Sequence, residues 1–152
     1  MNELLPVFSV IAQFSLVAVA VWSVGAVRRI ARQRATLDFI MEYNNDGRVS
    51  QGHQTIRRYK DEPLDEYLKQ GSENLDNFLF VMNMFEILAI GLKRGIYDEN
   101  MAVDMFGEDL RHIYESAKPM TIYIRKTGGE AFRHWEELAA RVENRPGISR
   151  KT

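Results

Sequence analysis

The sequence predicts an all-α protein, with a single N-terminal transmembrane helix followed by a cytoplasmic helical bundle of five to seven helices. Two observations predict this class. An uncharged apolar run is followed directly by an arginine cluster, and nearly every later segment carries apolar residues at helical spacing. The expected organisation of the 152 residues is a membrane anchor with an arginine collar at 1–34, a cytoplasmic all-helical domain at 35–143 and a polar tail at 144–152.

The first element is the apolar run, whose 24 residues from Leu4 to Val27 carry no formal charge. As a helix it would be about 36 Å long, which exceeds the hydrocarbon core of a bilayer at about 30 Å. A cleavable signal peptide would have a basic start and a shorter apolar run, whereas this run is preceded by Glu3 and no basic residue. We therefore favour an uncleaved anchor over a signal peptide or a buried core helix.

Four arginines form a collar directly after the apolar run, at Arg28, Arg29, Arg32 and Arg34. The positive-inside rule assigns this side to the cytoplasm, so we expect a single-pass protein of a bacterial inner membrane with its N-terminus outside. Trp22 lies where an amphipathic ring suits the membrane interface. The collar is expected to contact the anionic head groups of membrane lipids.

The only full side-chain amide in the apolar run belongs to Gln13. In lipid such a group gains roughly 0.6–2 kcal/mol by pairing with another helix. The run contains no Gly-xxx-Gly pattern that would support tight dimer packing. Between a Gln13-mediated oligomer and a tolerated polar residue, we favour the tolerated residue.

Composition limits the chemistry of the rest of the chain. Beyond Ala35 there are 16 Lys and Arg against 20 Asp and Glu, so this part is mildly acidic. A nucleic-acid partner is not expected, because binding phosphates needs a basic surface. The absence of cysteine excludes disulfides, thiolate catalysis and cysteine-based metal sites.

The segment after the collar continues the anchor helix as a single rod, which 44–47 (Asn-Asn-Asp-Gly) should end. In this extension Leu37, Ile40 and Met41 have the spacing of one apolar stripe. A second helix is expected over about 48–60, followed by a break at 61–63 and a short helix that ends at Gly71. Val49, His53, Ile56 and Tyr59 fall on one face of the second helix.

The centre of the domain is the segment 78–92, in which twelve of fifteen residues are apolar. A second membrane span is the alternative, but the run is shorter than the usual 20 residues or so, and the central Glu86 would cost about 2.5–3.5 kcal/mol in lipid. We favour a buried core helix. Lys93, Arg94 and Gly95 have the pattern of its C-terminus.

Further helices are expected after that turn. Asp98 is a candidate N-cap, and Gly107, Pro119 and the Gly128–Gly129 pair are candidate breaks. The helices between these points would cover about 98–106, 108–117 and 130–142. Residues 120–126 alternate like a strand, but the sequence offers no second strand to pair with them, so we interpret them as helix.

Asn83 and Glu86 are the candidate buried polar site, because they lie one turn apart on the most apolar helix. A buried carboxylate must be paired, hydrogen-bonded or neutralised. Arg111, Arg125, Arg133 or a tyrosine hydroxyl are the candidate partners. The two residues could line a small polar pocket, but we favour a satisfied ion pair that fixes helix register.

No catalytic, cofactor-binding or metal-binding set is identified. The sequence lacks a phosphate loop, a dinucleotide fingerprint and a nucleophile elbow. Carboxylate-bridged metal sites in bundles use Glu-x-x-His, whereas Glu108 with His112 and Glu130 with His134 are four residues apart, and His53 stands alone. These histidines are interpreted as surface and boundary residues.

Two stretches, NMFEILAIGLKRGIYDEN at 83–100 and RATLDFIMEY at 34–43, resemble a bacterial family known as domain of unknown function 4760. The resemblance covers about 28–141 and implies a membrane-associated helical domain without an assigned activity. It carries over to Thr36, Asn83, Glu86, Gly91, Gly95, Tyr97, Asp98 and Trp135.

These observations predict a membrane-anchored, non-enzymatic protein whose cytoplasmic bundle mediates protein interaction or self-association, with a partner protein or a second copy bound. The alternative is a small-molecule or lipid-sensing module that uses a polar pocket near Asn83 and Glu86.

Overall fold

The computed structural model describes residues 4–59, 68–69 and 72–143, and within these ranges all regular structure is helical. The all-α prediction is confirmed. Five helices are described, and four of them follow the first, fewer than the five to seven predicted for the bundle. They are α1 (Leu4–Asn45), α2 (Gly47–Tyr59), α3 (Ser72–Lys93), α4 (Glu99–Gly128) and α5 (Arg133–Glu143). The predicted short helix before Gly71 falls largely outside the described residues, as does the polar tail.

Helix α1 is a continuous rod of 42 residues, about 63 Å long, as the sequence predicts. Its apolar part stands clear of the domain, because the apolar window described within Ala12–Asn45 is 0% buried. The helix ends at Asn45, where the Asp46 carboxylate accepts a hydrogen bond from the backbone N–H of Arg48 at 2.9 Å and turns the chain into α2.

The C-terminal part of α1 is built into the domain on one side. Phe39, Ile40 and Tyr43 are buried there, whereas Leu37 and Met41 are 46% and 60% exposed. The predicted stripe of residues 37, 40 and 41 is therefore wrong, because the domain packs against the face centred on the buried residues and leaves the opposite face open.

Helix α3 passes through the centre of the domain, and Val81, Met82, Phe85 and Leu88 are fully buried along it. It is the second of two described helices that are long and apolar enough to cross a membrane. Its apolar window is 56% buried against other parts of the chain, whereas that of α1 is 0% buried.

The pair α2 and α3 packs closely at Gly52. A side chain there would collide with the backbone carbonyl of Asn77 and with Val81. The Asn77 amide donates a hydrogen bond to Gln51 Oε1 at 2.9 Å beside this contact. The glycine therefore allows the backbones of the two helices to approach.

Aromatic rings join four helices in the core. The Tyr43 and Phe106 rings are 5.0 Å apart and link α1 to α4. The Phe85 and Trp135 rings stack at 5.2 Å and link α3 to α5. Tyr43 also lies 5.5 Å from Phe85. Because the end of α1 supplies one of these rings, the apolar helix and the domain share a single core.

Helix α4 runs without a break through Gly107 and Pro119, so the helix ends predicted at these residues are wrong. Proline lacks the N–H of a helical bond, but Ala117, Met120 and Thr121 remain buried on one stripe across it. Burial on both sides of the proline stabilises the helix more than the local break destabilises it. The interpretation of 120–126 as helix is confirmed.

Helix α5 begins at Arg133, three residues later than predicted. Gly129 forms the predicted break with a φ of 104°, and Phe132 has a φ of 60°. The helix buries its apolar face against the core through Trp135, Leu138, Ala139 and Val142.

Candidate functional site

The junction between α1 and α4 depends on one buried hydroxyl. Thr36 is fully buried, donates to the backbone carbonyl of Arg32 at 2.8 Å and accepts from the backbone N–H of Asp98 at 2.8 Å. Asp98 in turn accepts from the N–H of Met101 at 3.0 Å, which confirms it as the N-cap of α4. The rod is thus hydrogen-bonded to the start of the longest helix of the domain.

The turn between α3 and α4 requires glycine at two places. The N–H of Ile96 bonds to the carbonyl of Gly91 at 2.8 Å and that of Gly95 to Leu92 at 3.0 Å, the pattern of a Schellman cap. Gly95 has a φ of 67°, and a Cβ at Gly91 would overlap the ring of Tyr97. The predicted C-terminal glycine is confirmed.

Glu86 and Asn83 do not form one buried polar site. Asn83 is exposed on α3, whereas the Glu86 side chain is 17% exposed and contacts Nδ1 of His134 at 2.7 Å. The same carboxylate accepts from the backbone N–H groups of Trp135 at 2.8 Å and His134 at 3.3 Å. Glu86 therefore caps the first turn of α5 from another helix, where a negative charge is favourable.

The arginines expected as partners of Glu86 lie elsewhere. Arg125 pairs with Glu136 at 2.8 Å, and Arg133 bonds to Glu130 at 2.9 Å on the surface. Arg111 contacts His112. In the described part of the chain, Glu86 contacts backbone N–H groups at a helix start and an adjacent histidine, and sequence spacing does not reveal these partners.

The collar residues lie on the open part of α1. Arg28, Arg29, Arg32 and Arg34 are exposed, and the side chain of Trp22 is 75% exposed one to two turns before them. On one side of the rod a groove of about 450 Å³ lies between α1 and the α3–α4 turn. It is lined by Arg28, Ala31, Arg32, Ala35, Gly95 and Ile96.

A polar cleft lies on the far side of the domain, between α2 and α4. It has a volume of about 610 Å³ and adjoins a second hollow of about 380 Å³ at the end of α1. His53, Arg57 and Asp109 line both, and His112 lines the larger. The sequence did not indicate this cleft, because its two walls are more than fifty residues apart and no motif marks either.

The electrostatics of the cleft favour a neutral imidazole. Burial lowers the pKa of His53, with Asp109 opposing and Arg57 adding to the shift. Tyr43 forms a short hydrogen bond with Nε2 of His53, and burial raises the pKa of the Tyr43 hydroxyl, so this hydroxyl stays protonated and donates. Within the described residues no group of three metal-ligating side chains occurs.

Another open surface lies along α1, and we call it the outer stripe. It consists of the positions that follow one another at alternating steps of three and four residues from Gln13 to Met41, namely 13, 16, 20, 23, 27, 30, 34, 37 and 41. At 100° or so per residue, Leu37 and Met41 centre roughly 160° around the helix from the buried residues Phe39 and Tyr43, and Leu37 lies roughly 60° from the buried Ile40. Its large apolar members are all exposed, namely Leu16, Val27, Ile30, Leu37 and Met41.

The fold and these sites define a class: a helical domain built directly on the end of a long apolar helix. The chain matches the family described as Domain of unknown function (DUF4760) over residues 10–142, and it belongs to that family. No curated protein and no solved structure matches the chain.

Proposed function

We propose that this protein is a single-pass membrane protein with a non-enzymatic helical domain on the cytoplasmic side, and that it acts by associating with a second copy of itself through α1. The proposal places the N-terminus outside a bacterial plasma membrane and the collar at the inner head groups. The observation that carries it is the outer stripe, an apolar face of α1 that the domain leaves open.

The exposed apolar residues of the outer stripe favour another helix as its occupant. Positions at alternating steps of three and four residues lie along one face of a helix, and paired helices contact each other through such positions. The stripe runs from the membrane span into the part of α1 that carries Leu37 and Met41, both exposed. Two parallel helices would therefore bury the same face on both sides of the collar, in the apolar run and in the part of α1 next to the domain.

A second copy fits better than an unrelated helix. Two copies inserted in one membrane have the same direction and depth, so their stripes match residue for residue. Gln13, Ala20 and Ser23 also lie on the stripe, and small and amide side chains stabilise helix contacts in lipid. Because the domain packs on the other side of α1, two domains would lie on opposite sides of the pair without collision.

Arg34 is the one charged member of the stripe. A basic residue at such a position weakens pairing but is tolerated in coiled coils. Its long side chain can reach outward to lipid head groups while its stem stays at the contact. This residue is expected to limit the stability of the pair.

Crosslinking tests the proposal, and the cysteine-free chain makes single-cysteine variants unambiguous. In native membranes, Leu37→Cys and Met41→Cys should form disulfide-linked dimers upon mild oxidation. Glu42→Cys is the matched control, because Glu42 is exposed but lies roughly 100° from Met41 around α1 and should crosslink much less. Equal crosslinking at all three positions, or none at any, would contradict self-association through the outer stripe.

The alternative of small-molecule sensing near Asn83 and Glu86 has less support. Glu86 is occupied by the start of α5, and Asn83, one turn earlier on α3, is exposed and does not share its contacts. A lipid-binding function is favoured instead by the groove beside the collar.

A further inference from the structure

We infer that the groove between α1 and the α3–α4 turn binds the phosphate group of an anionic membrane lipid. The inference rests on the proposed membrane anchoring, but not on the pairing of α1. The collar as a whole is expected to attract anionic lipids without a defined binding site. The inference assigns one of these lipids to a particular site with particular residues.

The depth of the groove matches the head-group layer. The apolar run ends at Val27, so Arg28 and Arg32 begin roughly 1.5 Å and 7.5 Å beyond it along the helix axis. The polar layer of a bilayer is about 5–7 Å deep on each side. The two guanidinium groups of the groove would therefore lie at the level of the lipid phosphates.

The charges of the groove are available to a ligand. No ion pair of the described residues involves Arg28 or Arg32. Guanidinium groups bind phosphate oxygens through two parallel hydrogen bonds. Two unpaired arginines one turn apart on α1 can hold one phosphate between them.

The opposite wall explains why a lipid fits better than a soluble phosphate. Ile96 is 50% exposed there, and Ala31 and Ala35 form the floor. An apolar side chain at this depth would contact the upper acyl chain or glycerol of a lipid. Inorganic phosphate has no apolar part that could contact these surfaces.

The backbone of the turn holds this wall against α1. Gly95 has a φ of 67°, and a Cβ there would lie 3.3 Å from Nη2 of Arg32. The guanidinium group of Arg32 thus packs on the bare backbone of Gly95. Thr36, one turn further along α1, bonds to the N–H of Asp98 at 2.8 Å and holds the end of the same turn in place.

Lipid retention tests the inference on the full chain. The protein is reconstituted in nanodiscs with equal phosphatidylglycerol and phosphatidylcholine, and is then extracted in mild detergent. Retained lipid is counted by native mass spectrometry. Wild type should retain phosphatidylglycerol preferentially. Arg28→Gln with Arg32→Gln should reduce this retention about 30-fold, which corresponds to about 2 kcal/mol, because the paired hydrogen bonds from both guanidinium groups to the phosphate are lost.

The control removes one charge outside the groove, with Arg29→Gln, and is compared with Arg28→Gln, which removes one charge inside the groove without touching the contact between Arg32 and the turn. Arg29→Gln should lose much less phosphatidylglycerol than Arg28→Gln, and Arg28→Gln should lose less than the double variant. Equal losses for the two single variants would overturn the inference, because all collar arginines would then contribute alike.

Two further outcomes are distinguishable. Displacement of the retained lipid by millimolar inorganic phosphate would identify a soluble phosphate as the ligand and overturn the inference. If the wild type fails to enter nanodiscs and is extracted from membranes by alkaline carbonate, the membrane anchoring of the proposed function fails. Stable insertion without lipid preference would contradict the groove alone.

Discussion

Helices α1 and α3 are both long and apolar enough to cross a membrane, yet the apolar window described in α1 is 0% buried in the chain and that in α3 is 56% buried. Both helices therefore qualify as candidate spans by length and apolar composition. What differs is the chain around them: α3 lies between α2, α4 and α5, whereas the span of α1 has arginines at one end and nothing of the described domain beside it. An apolar helix is a core helix when the rest of the chain covers it.

The polar side chains of α1 and α3 differ in burial in the same way as the apolar ones. Glu86 on α3 has partners inside the domain, at the start of α5. Gln13 on α1 is exposed, as are the apolar residues that follow it. The chain itself supplies the partners of α3, whereas the described domain covers none of the apolar window of α1.

The largest expected effect comes from a charge placed in each helix. Leu16→Arg should cost about 2.5–3.5 kcal/mol of insertion and release the protein from membranes, while the domain stays folded. Leu88→Arg should instead unfold the domain, by more than about 4 kcal/mol, because it buries an unpaired charge. Carbonate extraction and limited proteolysis measure the two outcomes.

The control for this pair is Ile87→Arg, at a neighbouring α3 position that is 51% exposed. It should leave both membrane association and proteolytic resistance near those of wild type. If Leu16→Arg unfolds the domain and Leu88→Arg releases the protein from membranes, the roles of the two helices are reversed.

Removing the cap of α5 should have the next largest effect. Glu86→Ala leaves the N–H groups of His134 and Trp135 without their acceptor, which should lower the free energy of unfolding by about 1–3 kcal/mol. Glu86→Gln keeps one acceptor oxygen and should cost less. Denaturant titration of the full chain in detergent, followed by Trp135 fluorescence, measures both.

Asn83→Ala serves as the reference for Glu86, because Asn83 is on the same helix but exposed. Its effect should stay within about 0.5 kcal/mol. An equal loss of stability for Asn83→Ala and Glu86→Ala would mean that the cap contributes nothing particular.

The junction of rod and domain gives a third test. Thr36→Val keeps the shape of the side chain but leaves the N–H of Asp98 unpaired, at a cost of about 1–2 kcal/mol. Thr55→Val is a suitable comparison, since the Thr55 hydroxyl donates to the carbonyl of Gln51 within its own helix and, among the described residues, does not link two helices. Thermal unfolding should rank Thr36→Val below Thr55→Val, and the opposite order would contradict a role for Thr36 as the link.

The smallest effect is a pH dependence from His53. Its pKa is lowered in the folded protein, so the unfolded chain takes up a proton first as the pH falls below about 6.5. Stability should therefore be full above this pH and decrease on acidification towards pH 5.5. His53→Gln should flatten this part of the profile, whereas replacing the exposed His112 by Gln should not. A profile unchanged in His53→Gln would contradict the assignment.

Much of the fold could be predicted from the sequence where a single local signal decides it. The uninterrupted rod, the Asp98 cap and the Gly95 turn each depend on residues within one or two turns. The breaks expected at Gly107 and Pro119 were wrong, because burial along α4 overrides a weak local preference, and burial is not local information.

The candidate sites were less predictable for the same reason. Glu86 was identified as a buried carboxylate needing a partner, but its partners are backbone groups 48 and 49 residues away. The cleft around His53 and the groove beside Arg28 each join segments far apart in the chain. The residues of the cleft become neighbours through the packing of α2 against α4, and those of the groove through the packing of α1 against the α3–α4 turn.

The central claim is that α1 spans a membrane and carries the domain on its arginine side, and cysteine accessibility tests it most directly. Asn2→Cys and Met105→Cys, each the only cysteine of its variant, are treated in intact spheroplasts with a membrane-impermeant maleimide. We expect Asn2→Cys to be labelled at once and Met105→Cys, at an exposed position of α4, only after permeabilisation. Labelling of Met105→Cys in intact spheroplasts would contradict the account.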